Sequence, residues 1–442
     1  MSRKNNKRIL TAALISAICA VLALAGACVL PSVLQRQTEK LLADIEAVDA
    51  FVGEPWDKPF VNQAAVDAFE RDHTAAQDED TLYTYRSPEG IAFISKAEAW
   101  DEKNLEALYH ELLQNRHGEE FMTLSQVIVY PQRDEFAAAT HQNTYQTHRY
   151  ALDFPALPKD FHVEVNRTAG VISLYDGDRC TTVKSMASNL SHEYGHHFTF
   201  YHMFPAAFTD EEFQATKYAK LRGLDPDKVQ FNTSDSQYYV DNHHWYLVEI
   251  AAEDYVTLMG SPNSRDVGNH PDVRDQLNGA SPEQYIKRNS RVQENLMIPM
   301  ASDVDGLSDY FYSFVDDEPP QFPKWQDIQI DIQRRSASYD LESGYTTFVY
   351  YELTWNKAYG DDATYTLVTY QEDDYSNTLH PVRTVLPGTS AVAYVGCVSS
   401  QSGMYVSSMD DNLANGTRTF VVTAILPDGT MQASDPMTYT FD

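Results

Sequence analysis

The stretch His192-Glu193-Tyr194-Gly195-His196 decides how this chain is read. At about 3.6 residues per turn, positions four apart differ by about 40° around a helix axis, so His192 and His196 present two imidazoles from one face. Glu193 lies about 100° further round, where a carboxylate can reach a water molecule near them without itself becoming a ligand. Around the motif, Val183, Met186, Ala187, Leu190, Tyr194, Phe198 and Tyr201 fall on one stripe. Ser185, Ser188, Asn189, His192, His196 and Thr199 fall nearly opposite. An apolar back and a polar front suit a helix that lines a metal-binding cleft; a surface helix with solvated histidines is the plainer alternative. Gly195 costs a helix about 1 kcal/mol relative to Ala, which predicts a neighbour packed closely against it. His197 points about 100° away from His196 and reads as a packing or surface residue.

A tetrahedral zinc site needs a third protein ligand and one open position. His202 follows His196 at a distance where a third imidazole could return, but Thr199 stands where a turn would need glycine. A second helix is predicted over 245–260, with Val248, Ala251, Ala252, Tyr255 and Met259 as its packing stripe. Glu249 and Glu253 lie one turn apart on another face. Glu249 is therefore the preferred third ligand, and Glu253 suits a residue that hydrogen-bonds a ligating imidazole and fixes its tautomer. Glu253 and His202 stay open as alternative ligands.

On His192, Glu193 and His196, followed by Glu249, Ala252 and Glu253, the chain resembles the gluzincins. These are zincin metallopeptidases, thermolysin-like and lethal-factor-like enzymes among them, whose third ligand is a Glu on a later helix. The two motif helices carry the likeness. The long gap between His196 and Glu249 is closer to the lethal-factor type, and Glu253 stands where thermolysin-like enzymes have Asp. The resemblance implies bound Zn2+ that activates water for peptide hydrolysis, with Glu193 as general base. It also implies a Tyr or His near the developing oxyanion. Tyr238, Tyr239, His243, His244 and Tyr246 are the candidates for that donor, and Tyr239 is preferred by analogy of spacing.

Upstream, alternation and β-branching predict strands at 161–165 and 170–175, joined through Asn166 to Ala169, with the second belonging to the sheet beside the metal helix. A helix over 100–113 and a strand over 122–130 precede them. After a helical stretch at 306–315, Asp316-Asp317-Glu318-Pro319-Pro320 has the composition of a linker. Short alternating runs follow at 346–355, 363–370, 390–398, 417–426 and 437–441. The fold class expected is α+β: a zincin-like metallopeptidase domain over 91–318, then an all-β sandwich over 319–442 resembling fibronectin type III or immunoglobulin domains. No chemistry is visible in the sandwich, so a spacer or adhesion role is expected there.

Arg3, Lys4, Lys7 and Arg8 precede an uncharged apolar stretch over 9–30, long enough for the about 20 residues that span a bilayer. The charge bias places 1–8 in the cytoplasm and the rest outside, as a single-pass signal anchor. Ala25-Gly26-Ala27 also fits a cleavage site. Residues 31–90 read as a helical stalk and amino-terminal segment. A net charge of −31 disfavours nucleic acid as a partner. Four Cys in 442 residues, two of them in the apolar stretch, suit an exported Gram-positive bacterial protein. The expectation is a membrane-anchored extracellular zinc endopeptidase acting on a peptide or protein, of unassigned oligomeric state. The alternative is a surface adhesion or binding protein whose zincin domain acts on no peptide.

Overall fold

The computed structural model describes residues 80–134, 137–151, 162–204, 215–230, 242–269, 285–289, 291–323, 326–341, 344–396 and 413–441. It is a mixed α+β structure with several sheets. Two compact units are distinguished, 1–76 with 144–169 and 77–143 with 170–442. Of the first, only the backbone of 144–151 and 162–169 is described, as strand. The second contains all that follows. Among the described residues no helix is long and apolar enough to cross a membrane, and 9–30 lies outside them.

The first sheet is built from β1 (Tyr83–Arg86), β2 (Ala92–Ser95), β3 (Leu124–Val129), β4 (Ala139–Ala151) and β5 (His162–Leu174), in the order β1-β2-β3-β5-β4. β2, β3 and β5 run parallel, and β1 pairs antiparallel with β2. β5 is one continuous strand where two were expected, because Asn166-Arg167-Thr168-Ala169 contains neither proline nor a turn glycine to break it. It is also internal, leaving β4 as the edge on that side.

Helix α1 (Glu102–Leu112) is capped by Asp101, whose side chain accepts the Asn104 amide at 2.9 Å. Helix α2 (Val183–His202) carries the His-Glu motif and starts at a reciprocal cap between Thr182 and Ser185. A short helix α3 (Lys217–Arg222) ends at Gly223, whose φ of 65° is the left-handed conformation that glycine adopts cheaply. Helix α4 (Leu247–Met259) holds Glu249 in its first turn, where the positive end of the helix dipole favours an acid. Leu105, Leu108, Leu190, Tyr194, Phe198, Leu247 and Tyr255 are buried with Phe93, Val127 and Ile172 of the sheet. Each such side chain contributes about 1.5–3 kcal/mol. Short helices α5 (Pro262–Arg265) and α6 (Leu307–Tyr312) complete this half.

Beyond the proline-containing segment, β6 (Ile330–Leu341), β7 (Gly344–Trp355) and β10 (Val392–Val395) form one antiparallel sheet. β8 (Thr364–Tyr370), β9 (His380–Val385), β11 (Thr417–Ile425), β12 (Met431–Ala433) and β13 (Met437–Thr440) form another. They share a core of Tyr351, Leu353, Trp355, Tyr365, Leu367, Val382, Val395, Phe420, Val422 and Phe441. β6, β9 and β12 were not foreseen: β6 is largely exposed and charged, and β12 is only three residues long.

The second of these sheets is buried on both faces. Val368, Tyr370, Val421, Ile425 and Met431 pack against Val256 of α4 and against Val292, Leu296 and Met300. The Val292 amide reaches Met431 Sδ at 3.0 Å, and Ile286 forms a bridge with Thr384. Residues on either side of position 319 thus fall into one compact unit. Cys180 is buried, and Cys397 lies outside the described residues.

Candidate metal centre

Helices α2 and α4 meet where Gly195 lies: a β-carbon there would stand 2.8 Å from the Ala252 carbonyl oxygen and 3.0 Å from its Cα. That accounts for the helix glycine and brings the first turn of α4 against the motif face. Glu249 Oε2 sits 3.1 Å from His192 Nε2 and 3.3 Å from His196 Nε2. The two rings are nearly perpendicular, 87° apart with centroids at 4.8 Å. His192, Glu193 and His196 form a group that could hold a metal ion, their donor atoms all within 4.8 Å of one another.

Two carboxylates therefore compete for the role of third ligand. The spacing favours Glu249: ligands bound at about 2.0–2.2 Å in a tetrahedron stand roughly 3.3–3.6 Å from each other. The Glu249 distances are close to that edge. Glu193, next to His192 in the chain, is buried beside the same space. A pair of imidazoles and a carboxylate is a donor set that suits a borderline divalent cation. His196 Nδ1 is buried and meets no hydrogen-bond partner among the described residues, so Nε2 is the engaged nitrogen of that ring.

The charges respond to this crowding. Burial alone would raise Glu249, but His196 and His192 beside it hold its carboxyl well below the usual range. Burial pushes Glu193 up to about 7, helped by Glu249 and opposed by His192 and His243. A bound divalent cation adds positive charge and draws Glu193 down from that value.

His243 is the neighbour that sequence reasoning listed without preferring. Its Nε2 is 3.5 Å from Glu249 Oε2, and its Nδ1 is 2.7 Å from Glu294 Oε2. Burial would lower the imidazole, but the hydrogen bond to Glu294 and the charge of Glu249 carry it up to about 9. Glu294 lies in a segment without regular structure, and no periodicity in the sequence marks it.

The remaining candidates are placed as follows. Glu253 Oε2 accepts the backbone amide of Glu294 at 2.9 Å. Asp254 is taken up by Arg222 Nε at 2.9 Å and Tyr218 OH at 2.6 Å. His202 Nε2 lies 2.7 Å from Glu120 Oε2, in a buried pair on the packing side of α2. His197 is buried, with Nε2 3.0 Å from the Glu120 carbonyl oxygen and Nδ1 3.2 Å from His141. His244 stacks on Tyr375 at 4.4 Å between centroids. Tyr238 and Tyr239, the latter the preferred oxyanion donor, lie outside the described residues. On α2, Ser191 is buried and donates to Asn115 Oδ1 at 2.7 Å, which ties α2 to the segment just after α1.

No protein-family model matches this sequence, and comparisons with curated proteins and with solved structures return no match.

Proposed function

We propose that this chain is a zinc-dependent peptidase of the gluzincin type, with His192, His196 and Glu249 holding the ion. The observation that carries the reading is the convergence of His192 Nε2 and His196 Nε2 on Glu249 Oε2, at 3.1 and 3.3 Å. Two helices far apart in sequence supply these groups, and Glu193, which belongs with His192 and His196 to a group that could hold a metal ion, is buried beside them. Zinc held there supplies Lewis acidity and acidifies water.

The chain's own residues do the rest. Glu193 takes a proton from the attacking water and passes it to the leaving amine, a task that favours a carboxyl whose pKa is near the working pH. Protonated His243, aimed by Glu294, donates to the oxygen on which charge develops. Tyr239 remains a candidate for a second such donor. The mixed sheet with α2 and α4 supports a zincin-like architecture, and the two antiparallel sheets around one core support a sandwich of the fibronectin type III or immunoglobulin kind. Four basic residues ahead of the apolar stretch 9–30 support a membrane anchor with the catalytic part outside a Gram-positive cell.

The test is metal analysis of the purified chain, then cleavage of a quenched-fluorescence peptide library by wild type and Glu193→Ala. The reading expects one zinc per chain, hydrolysis by wild type, and loss of hydrolysis with zinc retained in the variant. Zinc without any peptide hydrolysis would favour the binding-protein alternative. Equal cleavage by the variant would remove Glu193 from its role.

A further inference from the structure

We propose that Tyr375, carried by the carboxyl-terminal sheets, is a positioning residue for His243 and acts on it through Glu294. The proposal rests on the peptidase reading of the site. His243 can direct Nε2 toward the cleft only while Nδ1 faces the Glu294 carboxylate, 2.7 Å away. The aim of the ring is therefore only as good as the placement of Glu294.

Glu294 cannot rely on secondary structure, because it belongs to no helix or strand. Its backbone is held from two sides instead. From α4, Glu253 Oε2 accepts the Glu294 amide at 2.9 Å. From the carboxyl-terminal half, the Tyr375 hydroxyl donates to the Glu294 carbonyl oxygen and accepts the Leu296 amide at 2.9 Å. One buried hydroxyl thus spans both sides of the bend that presents the carboxylate.

The same turn grips the other partner. The Tyr375 ring lies on His244, adjacent to His243, at 4.4 Å between centroids, and Ser376 Oγ is 3.1 Å from His244 Nδ1. Asn295 Nδ2 donates to the His244 carbonyl oxygen at 2.9 Å and closes the brace. The Glu294 backbone is therefore fastened to Tyr375, and the ring of His244, next to His243, to Tyr375 and Ser376, which enter from the segment after β8. This assigns the carboxyl-terminal sheets a part in catalysis that a spacer would not have. Displacing a catalytic group by about 1 Å can cost about a hundredfold in rate.

The test uses the full chain loaded with zinc, carrying Tyr375→Phe, which keeps the ring and removes the hydroxyl. Expected is a fall in kcat of about tenfold with KM within about twofold and zinc content unchanged. In a His243→Ala background the same substitution should leave kcat unaltered, because the group it positions is gone. A second arm needs no turnover: carbethoxylation of His243 by diethyl pyrocarbonate, followed by mass spectrometry, should quicken in Tyr375→Phe while His192 keeps its rate. Ser376→Ala, which removes only the contact to His244 Nδ1 and leaves Glu294 held, is the control and should change kcat and His243 labelling less than Tyr375→Phe does. Losses that multiply in the double variant, or unchanged labelling of His243, would overturn the proposal. If wild type cleaves no peptide, the peptidase reading fails while the labelling arm still decides the brace.

Discussion

Gly195 and Ala252 touch so closely that no side chain fits between them, and this contact sets how near Glu249 comes to His192 and His196. On helix propensity alone, Gly195→Ala would stabilise α2 by about 1 kcal/mol. The contact predicts the opposite, since the added carbon would meet backbone at 2.8 Å and backbone cannot swing aside. Overpacking of this kind costs about 1–3 kcal/mol. Thermal unfolding should show a lower midpoint, with weaker zinc binding; a raised midpoint would mean that the two helices are not so close.

Glu120 gives a pH dependence of stability. Its buried carboxylate accepts from Tyr194 OH at 2.6 Å, His202 Nε2 at 2.7 Å and the Gly118 amide at 3.0 Å. Burial would raise it, but His202 first, then Tyr194 and Gly118, keep it below the usual carboxylate range. A carboxyl depressed in the folded state contributes stability that is complete above its unfolded pKa and is lost as pH falls through the folded value. Urea midpoints should therefore drop on the acid side, and Glu120→Gln should flatten that limb while costing about 3 kcal/mol at neutral pH. An unchanged acid limb in the variant would assign the loss to other carboxylates.

Glu193→Ala separates chemistry from metal binding. General-base removal costs about 10²–10⁴ in rate. Zinc content should stay as in wild type if Glu249, 3.1 Å from His192, is the third ligand as proposed. A variant that loses zinc would make Glu193 a ligand.

Glu249 and Glu253, one turn apart on α4, should behave differently. Glu249→Ala removes the proposed third ligand and should weaken zinc by at least about a hundredfold. Glu253→Ala removes the acceptor of the Glu294 amide instead, so zinc affinity should hold while kcat falls. Competition with a chelating dye measures both; equal weakening would place both carboxylates on the ion.

The helices were legible because their signals are local. His192 and His196 stand on a face set by the 3.6-residue period, and Glu249 follows from the stripe of α4. The Glu294 partner of His243 was not legible, because it arrives in a segment with no period at all. Glu253 was read as a partner of a ligating imidazole; its hydrogen bond goes to the Glu294 backbone, a contact that only tertiary packing creates. The stretch around Pro319 and Pro320 reads as a linker between two domains. Packing across Val256, Leu296, Tyr370 and Met431 is made by residues distant from that linker, so its composition carried no trace of it.

The central claim is that His192, His196 and Glu249 grip one zinc ion. Anomalous diffraction at the zinc absorption edge, from crystals of the zinc-loaded chain, tests it most directly. The account predicts one strong peak within about 2.0–2.2 Å of His192 Nε2, His196 Nε2 and a Glu249 oxygen. A peak bonded to Glu253 or His202 in place of Glu249, or no peak between the two imidazoles, would contradict it.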